Sequence, residues 1–350
     1  MNLFFPNKVY HHKELPDLAQ QLLEQPQHWL QEFAQVIIDW NDEAAYMTAQ
    51  TSGSTGTPQT IKLSKEAMRQ SALKTAKYFD LQKGVHALAA LPYSFIAGKM
   101  MVIRALVLNW NFHLVPPRAN PIFDLEDELD FVAMTPHQLS TVLAQSSWKL
   151  GMVKKLLLGG APVSPTLMSQ IQSLDTEIYL GYGMTETITH IAVKRINGQS
   201  EQVFSALEGV SFSQSETGTL IIHTDHLHEA VETTDIINLI ESNQFEWLGR
   251  ADNVINSGGL KIHPEILEQK ISAAFDTAFF IGSRPSEIYG EEVVLLIEGE
   301  SQNKEEVFDK LSLYLSKLEL PKAIFFVPSF EYTETGKVRR KETIRKTLNQ

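Results

Sequence analysis

Apolar residues recur every three or four positions between residues 15 and 39, which is the spacing of an amphipathic helix. The positions that follow this spacing are Leu18, Leu22, Leu23, Leu30, Phe33 and Ile37. Pro26 lies inside the segment and predicts a break between two helices, because proline cannot continue a helix interior. Ser64 is a favourable N-cap residue and predicts a further helix that begins at Lys65.

Short apolar runs that end in Pro or Gly then alternate with helical stretches. The runs are HALAALP (86–92), FHLVPP (112–117), FVAMTP (131–136), KKLLLGGAP (154–162) and EIYLGYG (177–183). Apolar runs of this length separated by helices are typical of buried parallel strands. We therefore predict an α/β fold whose large N-terminal domain contains a parallel-rich sheet.

The pattern changes after this region to shorter, more alternating strands with turn residues between them. It extends from SALEGVSF (205–212) through GTLIIHT (218–224) to FEWLGR (245–250). Such alternation predicts antiparallel strands, which we interpret as a smaller β subdomain.

A third pattern follows LGRADNVINSGG (248–259). It predicts a helix behind His263–Pro264, two strands, a helix over 304–318 and a last strand, AIFFVPS. This is a compact α+β unit of roughly 100 residues, the usual size of a small domain. We predict two domains, residues 1–250 and a small mobile domain of residues 251–350.

Composition and charge exclude or disfavour several classes of function. Forty-two acidic residues against 30 basic ones give a net charge of −12, which disfavours a nucleic-acid partner. The basic segment GKVRRKETIRK (336–346) is interpreted as solvated charge. The absence of cysteine excludes disulfides, thiolate metal sites and thiol catalysis. No apolar run approaches the ~20 residues of a membrane span, so we expect a soluble, cytoplasmic protein. The sequence leaves the oligomeric state open, and a homo-oligomer is one of the states that it allows.

A loop rich in hydroxyls and glycine is the first candidate for chemistry. Its residues are Thr51, Ser52, Gly53, Ser54, Thr55, Gly56 and Thr57. Backbone N–H groups of such loops form anion sites, and the hydroxyls add donors for phosphate oxygens. A plain linker is the alternative, and the spacing is not that of a Walker loop.

A second candidate, GYGMTET (181–187), directly follows an apolar strand. Gly181 and Gly183 permit close approach to a ligand, and Tyr182 offers a face for stacking a base. Thr185 and Glu186 supply hard oxygens suited to a phosphate and to Mg²⁺. The alternative is a tight turn with an exposed glutamate.

Five further residues have ordinary structural alternatives when each is taken alone. Gly160 and Ala161 end a strand in small residues that could form a wall for adenine. Asp235 follows a strand and can accept hydrogen bonds from both hydroxyls of a ribose, and Arg250 could hold the same ribose or a phosphate. Lys337 lies on a predicted turn near the chain end.

Together and in this order, these blocks resemble the adenylate-forming acyl- and aryl-CoA synthetases, relatives of luciferase and of the adenylation domains of peptide synthetases. The matching blocks are TSGSTGTP, GGAP, GYGMTE, Asp235, GRADNVINSGG and TGK. The resemblance extends from about residue 48 to residue 340.

The resemblance implies a reaction in which a carboxylate attacks ATP to give an acyl-adenylate and CoA then displaces AMP. It implies that residues 51–57 hold the leaving phosphates, Thr185 the α-phosphate and Glu186 Mg²⁺. Asp235 and Arg250 would fix the ribose, and Lys337 would bridge carboxylate and α-phosphate during adenylation.

The resemblance also implies a conformational change in the small domain. Asp252 corresponds to the family's hinge. Rotation there would withdraw Lys337 and bring Gly258, Gly259 and Lys261 to the site for thioester formation. The implied partners are a carboxylic acid, ATP and CoA.

The chain departs from the family pattern at three places. Gln59 stands where a lysine usually follows the loop's proline, and Lys62 is the candidate substitute. Only about 50 residues precede the phosphate loop, so we expect this chain to lack much of the family's N-terminal subdomain. Phe95 stands where the family often has a histidine, in the block LPYSFIAGKMMVIRAL (91–106).

Arg104 follows Gly98 by six positions, as an arginine does in the o-succinylbenzoate–CoA ligases of menaquinone biosynthesis. It lies in an apolar segment, and a buried arginine is costly unless it is paired. The partner is either an internal Asp or Glu, or the succinyl carboxylate of a dicarboxylic substrate lying near Phe95 and Gly98. The histidines show no metal-ligand spacing and are interpreted as loop or strand surface.

The leading hypothesis is therefore an ATP-dependent acid–CoA ligase that most resembles the o-succinylbenzoate enzymes. One alternative is another aryl- or acyl-CoA synthetase. A second is a nucleotide-binding relative without ligase activity, for which Gln59 and the short N-terminal region are the reasons.

Overall fold

The computed structural model of the protein describes residues 1–5, 8–50, 59–275, 277–332 and 338–348. The described helices are α1 Leu15–Leu23, α2 His28–Asn41, α3 Lys65–Phe79, α4 Ile96–Leu108, α5 Pro136–Ser146, α6 Pro165–Gln170, α7 Pro264–Ile271, α8 Lys304–Ser312 and α9 Arg340–Leu348. Short 3-10 helices span His12–Glu14, Ser147–Met152, Ala251–Asn253 and Ser272–Ala274.

The described strands of the first half of the chain are β1 Asn2–Phe4, β2 Val9–His11, β3 Tyr46–Gln50, β4 Thr60–Ser64, β5 His86–Ala89, β6 Asn111–Leu114, β7 Leu129–Met134, β8 Val153–Leu158 and β9 Glu177–Gly183. Those of the second half are β10 His190–Arg195, β11 Phe204–Ala206, β12 Val210–Gln214, β13 Thr219–Thr224, β14 Val231–Glu241, β15 Gln244–Arg250, β16 Ile255–Ser257, β17 Leu260–Ile262, β18 Phe279–Ser286, β19 Gly290–Glu298 and β20 Ala323–Val327.

The chain divides into two compact units. The first comprises Met1–Pro162, Gln170–Ser211 and Ile222–Val231. The second comprises Val163–Ser169, Phe212–Ile221 and Glu232–Gln350. The predicted domain boundary at residue 250 stays a prediction.

The sheet of the first unit has the strand order β11-β10-β9-β8-β7-β5-β6-β1-β2. Strands β5 to β9 pair in parallel, and β10 and β11 continue the sheet antiparallel. Strand β7 is buried at five of its six positions, as expected for a parallel strand covered on both faces. The predicted α/β class with a parallel-rich sheet is therefore confirmed.

The predicted helix starts of the first unit are also confirmed. Helices α1 and α2 are separate, and the break contains Pro26. Helix α3 begins at Lys65, where the Ser64 hydroxyl accepts a hydrogen bond from the Ala67 amide (3.4 Å). This bond satisfies one of the free N–H groups at the helix start.

Strands β12, β13, β14 and β15 are neighbours in that order, and β14 and β15, which lie mostly in the second unit, are antiparallel. A separate sheet has the order β17-β16-β19-β18, and β20 pairs with β19 in parallel. Apolar residues of α7 and α8 form a core with one face of this sheet. Ile344 of α9 packs on the opposite face, with Phe280 and Phe330.

One predicted helix is shorter than expected. The apolar pattern predicted a helix over 304–318, but α8 ends at Ser312. The Ser312 hydroxyl donates to the carbonyl of Asp309 (2.7 Å), which competes with the helical hydrogen bond of that carbonyl. Leu313 and Leu318 are exposed, so an extended helix would have gained no burial from them.

None of the described helices is both long and apolar enough to cross a membrane.

Candidate functional site

Helix α4 brings the predicted substrate residues into the first unit. Phe95 is its N-cap residue and is partly exposed, and Gly98 lies in its first turn. A Cβ atom at Gly98 would lie 2.1 Å from the Pro92 carbonyl oxygen, closer than any side chain can approach. Gly98 therefore allows α4 to begin directly against the turn after β5.

Arg104 lies in the middle of α4 and is 2% exposed. Its Nε donates to Thr75 Oγ1 (3.2 Å) and its Nη2 donates to Thr189 Oγ1 (3.3 Å). Nη2 also lies 3.5 Å from His190 Nδ1, and Nη1 lies 3.7 Å from the sulfur of Met101. All of these contacts are made with uncharged groups.

No described carboxylate forms an ion pair with Arg104. Burial lowers the pKa of Arg104 to about 9, because desolvation disfavours the charged form and no neighbouring anion offsets it. The sequence left two partners open for Arg104, namely an internal Asp or Glu and a substrate carboxylate. No internal Asp or Glu partner is found among the described residues.

Three residues around Arg104 were missed by the sequence analysis. Thr75 lies on the buried face of α3, Thr189 precedes β10 and His190 begins it. The sequence of α3 did contain one signal for such a contact. Ser71 and Thr75 are hydroxyl residues at helical spacing on an otherwise apolar face, which indicates a buried polar partner.

His190 corrects the interpretation of the histidines as surface residues, since it is buried. Burial first, and Arg104 second, hold its pKa well below the ordinary value, so the ring is neutral near pH 7. Its Nε2 lies 3.3 Å from Thr75 Oγ1. If the ring proton is on Nε2, Nε2 donates to Thr75 Oγ1 and Nδ1 accepts a hydrogen bond from Arg104 Nη2. We therefore assign the tautomer of His190 that is protonated at Nε2.

The loop between β9 and β10 carries the predicted Thr185 and Glu186. Thr185 is buried and Glu186 is exposed. Thr187 closes the loop: its hydroxyl accepts from the Met184 amide (3.0 Å) and donates to the Thr189 carbonyl (2.8 Å). Ile188 is fully buried with φ 70, a backbone conformation that is strained for a β-branched residue.

The loop thus joins two sets of residues on one short segment. The predicted phosphate and Mg²⁺ residues, Thr185 and Glu186, lie at its start, and Thr189 and His190, which contact Arg104, lie at its end. We expect a strained and internally bonded segment to hold both sets in fixed geometry.

The predicted adenine-side residues lie at the carboxyl ends of β8 and β9, where ligands bind in open α/β sheets. Gly160 and Ala161 follow β8, and Gly181 to Gly183 end β9. A Cβ atom at Gly183 would lie 2.1 Å from the Thr189 carbonyl oxygen, so glycine is required there. The Tyr182 ring lies 5.6 Å from the ring of Phe204.

In the second unit, Asp235 and Arg250 are direct cross-strand partners of β14 and β15. Asp235 Oδ1 accepts from the Trp247 ring nitrogen (3.1 Å), and Arg250 Nη2 donates to Asp252 Oδ2 (3.0 Å). The structure therefore places the two predicted ribose residues side by side and pairs one of them with the predicted hinge residue.

The predicted thioester-step residues form a hairpin. Gly258 and Gly259 make the turn between β16 and β17, both with positive φ. The Gly258 amide donates to the Tyr289 carbonyl (2.9 Å), and Lys261 is exposed on β17.

Two predicted groups fall outside the described residues, namely Thr51 to Thr57 and Lys337. The strands β3 and β4, which precede and follow the loop, form an antiparallel pair. Lys62 is exposed on β4, opposite Thr48, and Lys99 Nζ donates to the Thr48 carbonyl (2.9 Å).

The oxygen atoms of Thr185 and Glu186 fit Mg²⁺ only if substrate phosphates supply further ligands. Among the described residues there is no group of three or more His, Asp or Glu side chains that could hold a metal. Glu186 is an exposed carboxylate beside Thr185, and Mg²⁺ commonly binds through one or two carboxylates together with substrate phosphates and waters.

The sequence of this chain is similar to a known family and to curated proteins. Residues 7–222 match the model of a family described as AMP-binding enzyme. The 2-succinylbenzoate–CoA ligase of Enterococcus faecalis is 24% identical over 326 residues, which cover 83% of this chain and 67% of that protein. The same-named ligase of Staphylococcus aureus is 24% identical over 84% of this chain and 66% of its own length. The chain thus spans about two thirds of the length of these relatives.

Solved structures show the same fold. An acyl-CoA synthetase (AMP-forming)/AMP-acid ligase II-like protein from Dyadobacter fermentans is 34% identical, with a TM-score of 0.64, and the match covers 95% of this chain and 98% of that one. The o-succinylbenzoate coenzyme A synthetase (MenE) of Bacillus subtilis, in complex with ATP and magnesium ion, has a TM-score of 0.72 at 17% identity, covering 85% and 69%.

Proposed function

This chain belongs to the AMP-binding enzyme family, and we propose that it is an o-succinylbenzoate–CoA ligase. The proposed reaction converts o-succinylbenzoate, ATP and CoA into o-succinylbenzoyl-CoA, AMP and diphosphate through an acyl-adenylate. At the level of class, the predicted adenylate-forming acid–CoA ligase is confirmed, and the family match supports the use of ATP. The substrate, CoA and Mg²⁺ belong to the proposal.

The observation that carries the choice of substrate is the charge of Arg104. A buried guanidinium that contacts only neutral groups is costly to the folded protein. A dicarboxylic acid would supply the missing anion with one carboxylate while the other one reacts with ATP. The names of the curated relatives support the same substrate.

The remaining residues are assigned to the nucleotide. Thr51 to Thr57 would hold the departing phosphates, Thr185 the α-phosphate, and Asp235 with Arg250 the ribose. Gly160, Ala161 and Gly181 to Gly183 would surround the adenine. Glu186 would hold Mg²⁺, which neutralises phosphate charge when bound.

The steps of the reaction are assigned to the mobile second domain. Lys337 would serve adenylation by contacting the carboxylate and the α-phosphate. Rotation at Asp252 would then present Gly258, Gly259 and Lys261 for thioester formation. We also propose a role in menaquinone biosynthesis, to which this substrate belongs, and a cytoplasmic location.

Two other functions make different predictions. A different aryl- or acyl-CoA synthetase would use Arg104 only to support its fold, so a monocarboxylic acid would be the best substrate. A nucleotide-binding relative without ligase activity would bind ATP and release no diphosphate with any acid.

The test is diphosphate release from purified protein with ATP and Mg²⁺. o-Succinylbenzoate, benzoate and a medium-chain fatty acid are compared, with wild type and Arg104→Gln in parallel. We expect release with o-succinylbenzoate and its loss in the variant. Release with another acid that is insensitive to the variant would contradict the substrate, and no release with any acid would contradict the ligase.

A further inference from the structure

A chain of side-chain hydrogen bonds joins the first strand of the protein to its parallel sheet. Asn111 of β6 donates from Nδ2 to the Gly84 carbonyl (2.9 Å), and the same nitrogen lies 3.0 Å from His86 Nε2. His86 Nδ1 lies 2.9 Å from His113 Nε2. Asn111 Oδ1 accepts from Asn2 Nδ2 of β1 (2.9 Å). The chain therefore links β5, β6 and β1, which are neighbours in the sheet.

The direction of each hydrogen bond in this chain follows from the Gly84 carbonyl. A carbonyl oxygen only accepts, so it fixes Asn111 Nδ2 as a donor. His86 Nε2 must then accept from Asn111, which leaves the His86 proton on Nδ1, where it donates to His113 Nε2. Since His113 Nε2 accepts, the His113 proton is on Nδ1. We therefore assign both rings the neutral tautomer that is protonated at Nδ1.

A further proton does not fit this chain. On His86 Nε2 it would face the Asn111 amide nitrogen, and on His113 Nε2 it would face the His86 N–H. Each change replaces a partly buried hydrogen bond by a contact between two donors, which is costly. Reversing the Asn111 amide would set its oxygen against the Gly84 carbonyl and its nitrogen against Asn2 Nδ2. The closed chain therefore requires both histidines to be neutral.

His113 is covered by a ring of β1 and faces one carboxylate. Its side chain is 9% exposed, and the Phe4 ring is stacked on it with centroids 4.6 Å apart and planes 17° apart. Asp127 Oδ2 lies 3.6 Å from His113 Nδ1, but Asp127 is exposed, so water weakens its attraction for a proton. Burial first and His86 second lower the pKa of His113, and Asp127 opposes them. Phe4 thus contributes to the burial that keeps this ring neutral.

The other titratable groups around the two rings have partners of their own. Asp130 of β7 accepts from the His86 amide (2.9 Å) and pairs with Lys154 of β8 (2.8 Å). His11 of β2 is exposed, and its Nδ1 lies 3.0 Å from Asn2 Oδ1. Because that nitrogen donates to Asn2, a further proton on His11 Nε2 leaves the hydrogen bond intact. The sensitivity of the chain to protons therefore lies in His86 and His113.

We propose that His86 and His113 form a pH-sensitive latch, which holds β1 and β2 on the sheet while both rings are neutral and releases them when the pair takes up a proton. Strand β1 is bound to the rest of the sheet through β6, and β2 through β1. Both strands have only three residues, so the side-chain contacts of Asn2 and Phe4 are a large part of what holds them.

The latch should weaken below about pH 6.5. In the closed state the pKa of His113 lies below the ordinary histidine value of about 6.5, and release of β1 exposes the ring and restores that value. The released state then binds more protons than the closed state, so the closed state loses stability as the pH falls. For one proton, the ratio of released to closed molecules rises by up to about tenfold per pH unit.

Hydrogen exchange measures this release without any substrate. The Asn2 amide donates to the Trp110 carbonyl (3.0 Å), and release of β1 breaks this bond. We expect its protection factor, which corrects for the intrinsic pH dependence of exchange, to fall about fivefold to tenfold between pH 7.5 and pH 5.5. The Ile196 amide, which donates to the Ile178 carbonyl of β9 (2.9 Å), should change less than about twofold. No fall at Asn2, or an equal fall at Ile196, would overturn the latch.

Glutamine variants remove the titration and keep the ability to form hydrogen bonds. A glutamine side chain offers a donor and an acceptor but takes up no proton in this pH range. In the double variant His86→Gln, His113→Gln, the protection factor of Asn2 should differ less than about twofold between the two pH values. His137→Gln is the matched control, because His137 is exposed on α5, and it should keep the wild-type fall. The wild-type fall in the double variant would contradict the proposal.

The ring tautomers provide a test that needs no variant. Nitrogen chemical shifts of ¹⁵N-histidine-labelled protein at pH 7.5 should show His86 and His113 protonated at Nδ1, and His190 protonated at Nε2. Below pH 6.5 the shifts of the pair should change together with the loss of Asn2 protection. A ring of the pair protonated at Nε2 at pH 7.5, or protection lost without any change in these shifts, would refute the latch. If the double variant does not fold, these wild-type measurements decide.

Discussion

At the scale of single residues, Arg104 is a buried cation whose contacts are all with uncharged groups. Thr75, Thr189 and His190 offer oxygen and nitrogen acceptors but no negative charge. In the ligand-free protein, burial therefore lowers the pKa of Arg104 to about 9. An anion placed in contact would favour the charged form and raise that pKa.

This shift predicts a pH dependence of substrate affinity. Below pH 9 Arg104 is charged and a carboxylate can pair with it. The ionisation of Arg104 should therefore not change the KM for o-succinylbenzoate in this range. Above pH 9 the free protein loses the proton that binding requires, so the KM should rise by up to about tenfold per pH unit. The KM is measured from pH 7 to 10.5, with the KM for ATP as the control, and parallel rises in both would contradict the account.

Gly98 allows a second prediction at this scale. Its Cβ would meet the Pro92 carbonyl at 2.1 Å, whereas a Cβ at Gly151 would have no neighbour within 4 Å. Gly98→Ala must shift α4 or the backbone of Pro92, so we expect it to lower the free energy of unfolding by about 3 kcal/mol. Gly151→Ala should change it by less than ~0.5 kcal/mol. Urea unfolding measures both, and equal effects would contradict the close approach.

The sequence identified Arg104 but not the residues that hold it. Its position six residues after Gly98 within an apolar run was enough to predict a buried cation. Thr75, Thr189 and His190 come from segments far from Arg104 along the chain, and only the pairing of the elements brings them together. Spacing along one segment cannot report such contacts.

At the scale of elements, strand β4, which follows the predicted phosphate loop in the chain, carries the exposed Lys62. Lys62 lies two residues after Thr60, the first residue of β4, on the exposed face of the hairpin. The predicted substitution of Lys62 for the lysine missing at Gln59 remains a prediction.

A comparison of lysine variants tests that substitution. Lys62→Ala should raise the KM for ATP about tenfold, the cost of losing one charge-assisted contact with phosphate. Lys65 is an unsuitable control, because it is paired with Asp42 at 2.6 Å. Lys83 is exposed, and Lys83→Ala should leave the KM unchanged. The same KM for ATP in both variants would dismiss the role of Lys62.

The elements themselves were predictable where burial is strong. Strands β5 to β9 each contain a short apolar run, and the alternation of these runs with helical stretches predicted the parallel sheet. Strands β1 and β2 have only three residues each, which is too short for an apolar run that would predict them. The end of α8 was missed because leucines continue to Leu318 along the chain, although Leu313 and Leu318 are exposed in the structure.

At the scale of the whole molecule, the proposed chemistry draws on both compact units. Arg104, Thr185 and Glu186 belong to the first, and Asp235, Arg250 and Lys337 belong to the second. The order of motifs along the chain predicted the family, which the match over residues 7–222 confirms. The proposed acyl substrate rests on the charge of one buried residue, Arg104, and the order of the motifs does not report that charge.

The central claim is that Arg104 binds the carboxylate that does not react. The most direct measurement compares o-succinylbenzoate with its two monocarboxylate analogues, 4-oxo-4-phenylbutanoate and 2-butanoylbenzoate, in wild type and Arg104→Gln. The analogue that supports diphosphate release identifies the reacting carboxylate and lacks the other one. In wild type its kcat/KM should be roughly 100-fold below that of o-succinylbenzoate, since losing one partner of a buried charge pair costs about 3 kcal/mol. In Arg104→Gln the difference should nearly vanish. The same 100-fold difference in both proteins would contradict the claim.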